Sequence, residues 1–132
     1  MNYLIDTNVA SELLRPRPQP GVIRWLSDQS SLAISAVCVH ESIFGLTQKN
    51  HVALLNAYED FLARYCTVLP VDDTIARQAG TLRGNLARRG FVRSLADMLI
   101  AATAQHHNLT LVTRNTRDFE HCGIGLLNPF TE

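Results

Sequence analysis

Cysteine, lysine, proline and net charge are all in short supply in this chain of 132 residues, and each shortage excludes a class of protein. Three cysteines, Cys38, Cys66 and Cys122, are an odd number without a C-x-x-C spacing. That argues against a disulfide framework or a thiolate zinc site, and it fits a reducing compartment such as the cytoplasm. Twelve basic residues balance twelve acidic ones, so the uniformly basic surface of a nucleic-acid coat protein is excluded. Acidic Asp6 comes before any basic start or apolar run, so no signal peptide is expected. The most apolar stretch, Met98–Ala104, is far below the ~20 residues that span a bilayer, and no membrane association is expected. No repeat or low-complexity segment is present, and the one proline-rich stretch, Arg15–Gly21, has the length of a loop. What remains is 46% apolar residues, enough for the core of one domain over residues 1–132.

The balanced charge hides an asymmetry. Residues 1–76 hold five basic and eight acidic residues, whereas residues 77–132 hold seven and four. Between Arg77 and Arg93 stand Arg77, Arg83, Arg88, Arg89 and Arg93 with no acid among them, and eleven of the twelve cations are Arg. A planar guanidinium grips phosphate with two bonds, so this run is a candidate nucleic-acid contact. The same run also reads as a solvated helix face.

Short apolar runs alternate with helical patterns. Tyr3–Ile5, Leu32–Ile34, Thr67–Val71, Thr110–Thr113 and Ile124–Leu127 read as strands, most of them buried. Helices are predicted over Val9–Leu14, around Val22–Leu26, and over Ala36–Leu46, His51–Tyr65, Thr74–Arg89 and Ser94–His107. Ser35 and Asp72/Asp73 stand where caps belong, and Gly90 where a helix should stop. Ala36–Leu46 is apolar nearly all round, the pattern of a helix lying inside a sandwich. The alternation predicts an α/β fold with a mostly parallel sheet.

In such a sheet, reactive groups gather beyond the carboxyl ends of the strands, where the strand order reverses. Asp6 follows the first strand; Asn115 and Asp118 follow the strand ending at Thr113; Glu41 and Asp97 sit early in apolar helices. Each has a structural reading. Asp6 suits a helix cap, Ser94-x-x-Asp97 has the spacing of a capping box, and Asn115-x-x-Asp118 repeats it. Glu41 has no such role, and Asp97 is followed by apolar residues against which an unpaired carboxylate is costly. Four acids converging without a lysine suggest a hard divalent ion with oxygen ligands, Mg²⁺ or Mn²⁺, whereas the five histidines lack a zinc-ligand spacing.

Tyr3-Leu-Ile-Asp-Thr-Asn-Val9 with Ser11–Pro18, then Ile34-Ser35 leading to Glu41 and Gly45, then Asp97–Ala102, then Val112–Phe119, resemble in order the four motifs of PIN-domain ribonucleases. The likeness is greatest to the VapC and FitB-type toxins of bacterial toxin–antitoxin pairs. His40 and Ser42 depart from the pattern, which usually has a small residue and often Leu there. The resemblance implies a three-layer α/β/α sandwich with Asp6, Glu41, Asp97 and Asp118 as the catalytic acids. Asp6, Asp97 and Asp118 would be the metal ligands, and Asn8, Thr113 and Asn115 would support them from behind. It implies hydrolysis of RNA, a cognate antitoxin carrying a basic residue into the acidic pocket, and a homodimer. Arg83, Arg88, Arg89, Arg93, Arg114 and Arg117 would hold the RNA backbone. Two other readings compete: a phosphatase with an aspartate nucleophile, which needs an acid where Asn8 stands, and a non-catalytic RNA- or partner-binding module.

Overall fold

The computed structural model describes residues 1–131 of the chain. Five strands, β1 (Tyr3–Ile5), β2 (Leu32–Ser35), β3 (Cys66–Leu69), β4 (Thr110–Val112) and β5 (Leu126–Leu127), form one sheet in the order β3-β2-β1-β4-β5. Every pairing is parallel, with Leu4 opposite Ala33 and Leu111, and Val112 opposite Leu127. The three central strands are apolar on both sides because both faces are covered: Leu4, Ile5, Ala33, Ile34, Leu111 and Val112 are fully buried. At the edges β3 exposes Thr67 and Val68, and β5 has two residues, short enough to discourage pairing with another chain.

The helices are α1 (Thr7–Leu13), α2 (Pro20–Ser27), α3 (Ala36–Gln48), α4 (Val52–Tyr65), α5 (Asp73–Arg88) and α6 (Leu95–His106). Right-handed crossovers, the rule for parallel strands, carry α1–α4 over one face as the chain steps from β1 to β3. The return from β3 to β4 lays α5 and α6, which pack on each other, over the opposite face. The result is the expected three-layer sandwich. Alanines 101, 102 and 104 of α6 are buried, so this helix lies close against its neighbours.

The predicted punctuation holds. Ser35 Oγ accepts from the amide of Val37, Asp72 Oδ1 from that of Ile75, and Ser94 Oγ from that of Asp97. Gly90, at φ +89°, ends α5 in a left-handed turn whose next residue, Phe91, donates its amide back to Leu86 O. Two expectations need correction. The third strand stops at Leu69, because Pro70 has no N–H for the ladder, and Val71 lies outside it. Helix α3 does not lie inside the sandwich: Cys38 and Ser42 are its buried residues, and Phe44 is 60% exposed. A helix on a sheet buries one side only, so the apolar residues on its other side form an open surface.

Candidate active site

The strand order reverses around β1, and both chain segments leaving its central crevice carry site residues. Asp6 ends β1 and caps α1, with Oδ1 accepting from the amide of Thr7 at 2.8 Å. Its Oδ2 accepts from Thr113 Oγ1 at 2.8 Å, just beyond β4, and from Asn8 Nδ2 at 3.2 Å. Thr113 Oγ1 itself accepts from Asn8 Nδ2 and from the amide of Asn115. A hydroxyl has one proton, so that proton is committed to Asp6. Asn8 Oδ1 in turn accepts from the amide of Arg114 at 3.0 Å. Asp6 is therefore a cap and also a carboxylate clamped by three nitrogen and oxygen donors, 6% exposed. Asn8 and Thr113 support it with side chains, whereas Asn115 does so through its backbone amide.

Glu41, one turn into α3, is exposed, not packed as its helix position suggested. Its Oε1 accepts from Thr7 Oγ1 at 2.8 Å, which ties it to the residue after Asp6. Asp97 is half-buried in the first turn of α6. The capping box forms by half: the amide of Asp97 donates to Ser94, but among the described hydrogen bonds none returns from the Ser94 amide to the carboxylate. Asp118 is exposed in a 3-10 turn, Thr116–Phe119, and the Asn115 side chain makes no cap there.

The charges of the other three acids all reach Asp97. Burial is the main cause that holds the Asp97 carboxyl above its ordinary range; contact with Ser94 opposes this, and the charges of Asp6, Asp118 and Glu41 add to it. Among the described residues the ion pairs are Arg15–Glu12, Arg64–Asp60 and Arg77–Asp73. Among the described residues none of the four acids is in an ion pair. Behind Asp6, the Cys38 thiol stands 3.7 Å from Oδ1. Burial first, then the Asp6 charge, push its acidity down, so it remains a neutral donor and not a thiolate ligand. Of the two motif departures, His40 stacks on Phe44 on the outer side of α3. Ser42 is buried near the Tyr58 hydroxyl, which burial pushes up to about 12 despite Ser42.

A cleft of about 460 Å³ between α1, α3 and α4 is lined by Glu41, alone of the four acids, and by Asn8, and its cations are Arg15, Lys49 and Arg114. Sequence reasoning named Arg114 but missed Arg15 and Lys49. A loop and a helix end bring them in, and nothing in their local pattern signals it. Of the Arg-rich run, Arg88 is exposed and Arg83 donates from Nε to Arg93 O. Arg89 and Arg93 lie over the ring of Phe91. Arg117 is exposed, and Arg114 stacks at 4.0 Å on Phe130.

The PIN domain family model matches residues 3–124. The chain belongs to the PIN domain family. Similar members include the toxin FitB of Neisseria gonorrhoeae, 33% identical over 96% of this chain and 97% of that protein. A tRNA(fMet)-specific endonuclease VapC of Shigella flexneri is 32% identical over 93% of each. A toxin–antitoxin complex from Klebsiella pneumoniae superposes with a TM-score of 0.78 at 27% identity, covering 97% of this PIN domain and 98% of that chain. Asp6 of this PIN domain, between the ends of β1 and β4, stands where an α/β sheet places its chemistry.

Proposed function

We propose that residues 1–132 form one PIN domain acting in the cytoplasm as the toxin of a toxin–antitoxin pair, an endoribonuclease that hydrolyses RNA phosphodiester bonds. The observation that carries this reading is that four carboxylates, three of whose charges act on the fourth, Asp97, form no ion pair among the described residues. PIN nucleases in general depend on a metal, and the donor set here is oxygen from Asp and Glu. Among the described residues no three His, Cys, Asp or Glu side chains close into a ready cage. An all-oxygen donor set suits Mg²⁺ or Mn²⁺ better than zinc, which favours nitrogen and sulfur ligands. Asp6, Asp97 and Asp118 would hold the ion, which supplies an acidified water and charge neutralisation at the phosphoryl group. Asp6 is locked in position by Thr7, Asn8 and Thr113. Glu41, with Oε1 held by Thr7, would use its other oxygen to take the proton of the attacking water. The water oxygen would add to phosphorus as the bridging P–O bond breaks, with the water's proton passing to Glu41 and the leaving oxygen taking a proton from solvent water.

Induction of the parent alone should arrest growth with newly cut RNA, and Asp97→Asn should do neither. A parent that leaves growth and RNA intact would return the chain to a non-catalytic binding module.

The cations hold what the acids repel. Replacing Arg88 and Arg89 by Gln should weaken RNA binding and flatten its dependence on salt, by ~0.7 in the log–log slope for each phosphate no longer neutralised. An unchanged slope would make them a solvated face.

Two apolar surfaces remain open for partners. One is a groove of about 470 Å³ floored by Leu13, Ile23, Leu26, Phe61 and Tyr65. The other is the outer side of α3 with Val39, Ile43 and Phe44, continued by Leu95 beside His40. We place the antitoxin on the first and a second copy of the chain on the second, with an antitoxin cation reaching the acids in place of the metal's charge. Light scattering at micromolar concentration should give twice 14.7 kDa for the parent and the single mass for Phe44→Glu. A monomeric parent would contradict the pairing.

A further inference from the structure

Two of the candidate phosphate-binding arginines, Arg89 and Arg93, belong to a cluster whose aromatic rings the catalytic set does not account for. The left-handed turn at Gly90 delivers Phe91 to the ring of His121, with centroids 4.5 Å apart and planes 29° from parallel. The guanidinium of Arg89 lies 5.3 Å from the Phe91 centroid and that of Arg93 5.5 Å. Arg83 holds the Arg93 carbonyl at 3.1 Å, so the loop is fixed from α5. Phe91 is half-buried, whereas His121 in front of it is exposed. Neither Arg89 nor Arg93 is in an ion pair among the described residues, and the buried Arg93 Nε has no acceptor there.

The stack joins the two loops that present catalytic acids. Arg93 precedes the α6 cap Ser94 and then Asp97; His121 follows Asp118 by three residues. The buried Cys122 thiol, which burial pushes up, feels the opposing charges of both Arg93 and Asp97, so cluster and pocket share one neighbourhood. A tie between loops needs neither an exposed ring nor two unpaired cations. His121 also sits at φ +68°, a conformation that Gly or Asn adopts at lower cost.

We propose that His121, backed by Phe91 and flanked by Arg89 and Arg93, is a stacking platform for one unpaired base of the RNA, next to the phosphate that is cut. The proposal rests on the ribonuclease reading. An exposed aromatic face takes any base, and adjacent guanidinium groups take the flanking phosphate. A base must leave a duplex to reach such a face, so the enzyme would cut at unpaired nucleotides.

The test uses His121→Asn, which keeps a residue suited to the left-handed turn, and His121→Tyr, which keeps a ring. Single-stranded RNA oligonucleotides carry 2-aminopurine at each position in turn, bound in EDTA for fluorescence and cut in Mg²⁺ for kinetics. The parent should quench 2-aminopurine at a position adjoining the cut. In His121→Asn that quenching should disappear and KM rise about tenfold with kcat nearly unchanged, and His121→Tyr should restore both. A parent that cuts RNA while His121→Asn matches it in quenching and KM would overturn the platform alone. Loss of melting temperature and kcat in His121→Asn, not rescued by Tyr, would make the stack a tie between loops. A parent that neither binds nor cuts RNA would overturn the ribonuclease reading itself.

Discussion

Asp97→Asn should lower RNA cleavage by about 10²- to 10³-fold or more, the scale of losing a group on which transition-state charge depends, while the protein stays folded. The structure makes this the cleaner of the two aspartate substitutions. Asp97 contributes its backbone amide to the α6 cap, and that amide is untouched. Its carboxylate is free of any described ion pair. Asp6→Asn should be equally inactive but less stable, by roughly 1–3 kcal/mol for an unsatisfied buried group. An asparagine caps a helix as well as an aspartate does. If its oxygen takes the Thr7 amide, however, its NH₂ meets the Thr113 hydroxyl proton and the Asn8 NH₂, both donors. Circular dichroism and thermal melts of both variants, beside cleavage assays, separate the two effects. Full activity in folded Asp97→Asn would remove that residue from the chemistry.

Metal-free parent should also melt below Asp97→Asn at neutral pH. Folding raises the Asp97 pKa, through burial first and then the three neighbouring carboxylates, so the native state favours the protonated form. The stability this brings is fully present below the ordinary carboxylate range and is lost as pH rises through the raised native value. At neutral pH the ionised carboxylate opposes folding, and the amide does not. The gap between the two melting temperatures should therefore close as pH falls below the ordinary carboxylate range. Mg²⁺ or Mn²⁺ should reverse the order. An ion that binds only the native state stabilises it by ~2.7 kcal/mol at a hundred times its dissociation constant, roughly 10 °C for a domain of this size, and the variant should gain less. If Asp97 served the helix as a returning cap, the variant would instead melt lower, by about 1 kcal/mol of stability. Equal metal effects on both proteins would have the same meaning.

Much of this was legible in the residue pattern, for physical reasons. Central strands buried on both faces read as plain apolar runs, and caps such as Ser35, Asp72 and Ser94 announce helices through the orphan amides they satisfy. The search for acids beyond the strand ends followed from where an α/β sheet keeps its chemistry. Their individual environments did not. Spacing alone could not tell whether Asp97 returns a bond to Ser94, nor that Asp6 would be cap and clamped carboxylate at once, since its donor Thr113 is 107 residues away. Nor could periodicity show that α3 leaves an apolar side open, because a helix covered by its own core and one awaiting a partner carry the same side chains. The stack of Phe91 on His121 and the cations of the Glu41 cleft arise from segments that only the fold brings together.

The central claim is that four unpaired carboxylates exist to cut RNA with a divalent ion. The most direct measurement incubates purified parent, free of any antitoxin, with total cellular RNA in Mg²⁺ and again in EDTA, and maps new RNA ends by sequencing. The account predicts discrete new ends in Mg²⁺, none in EDTA, and none in either condition with Asp97→Asn. Ends that form equally in EDTA, or in Mg²⁺ with the folded variant, would contradict it.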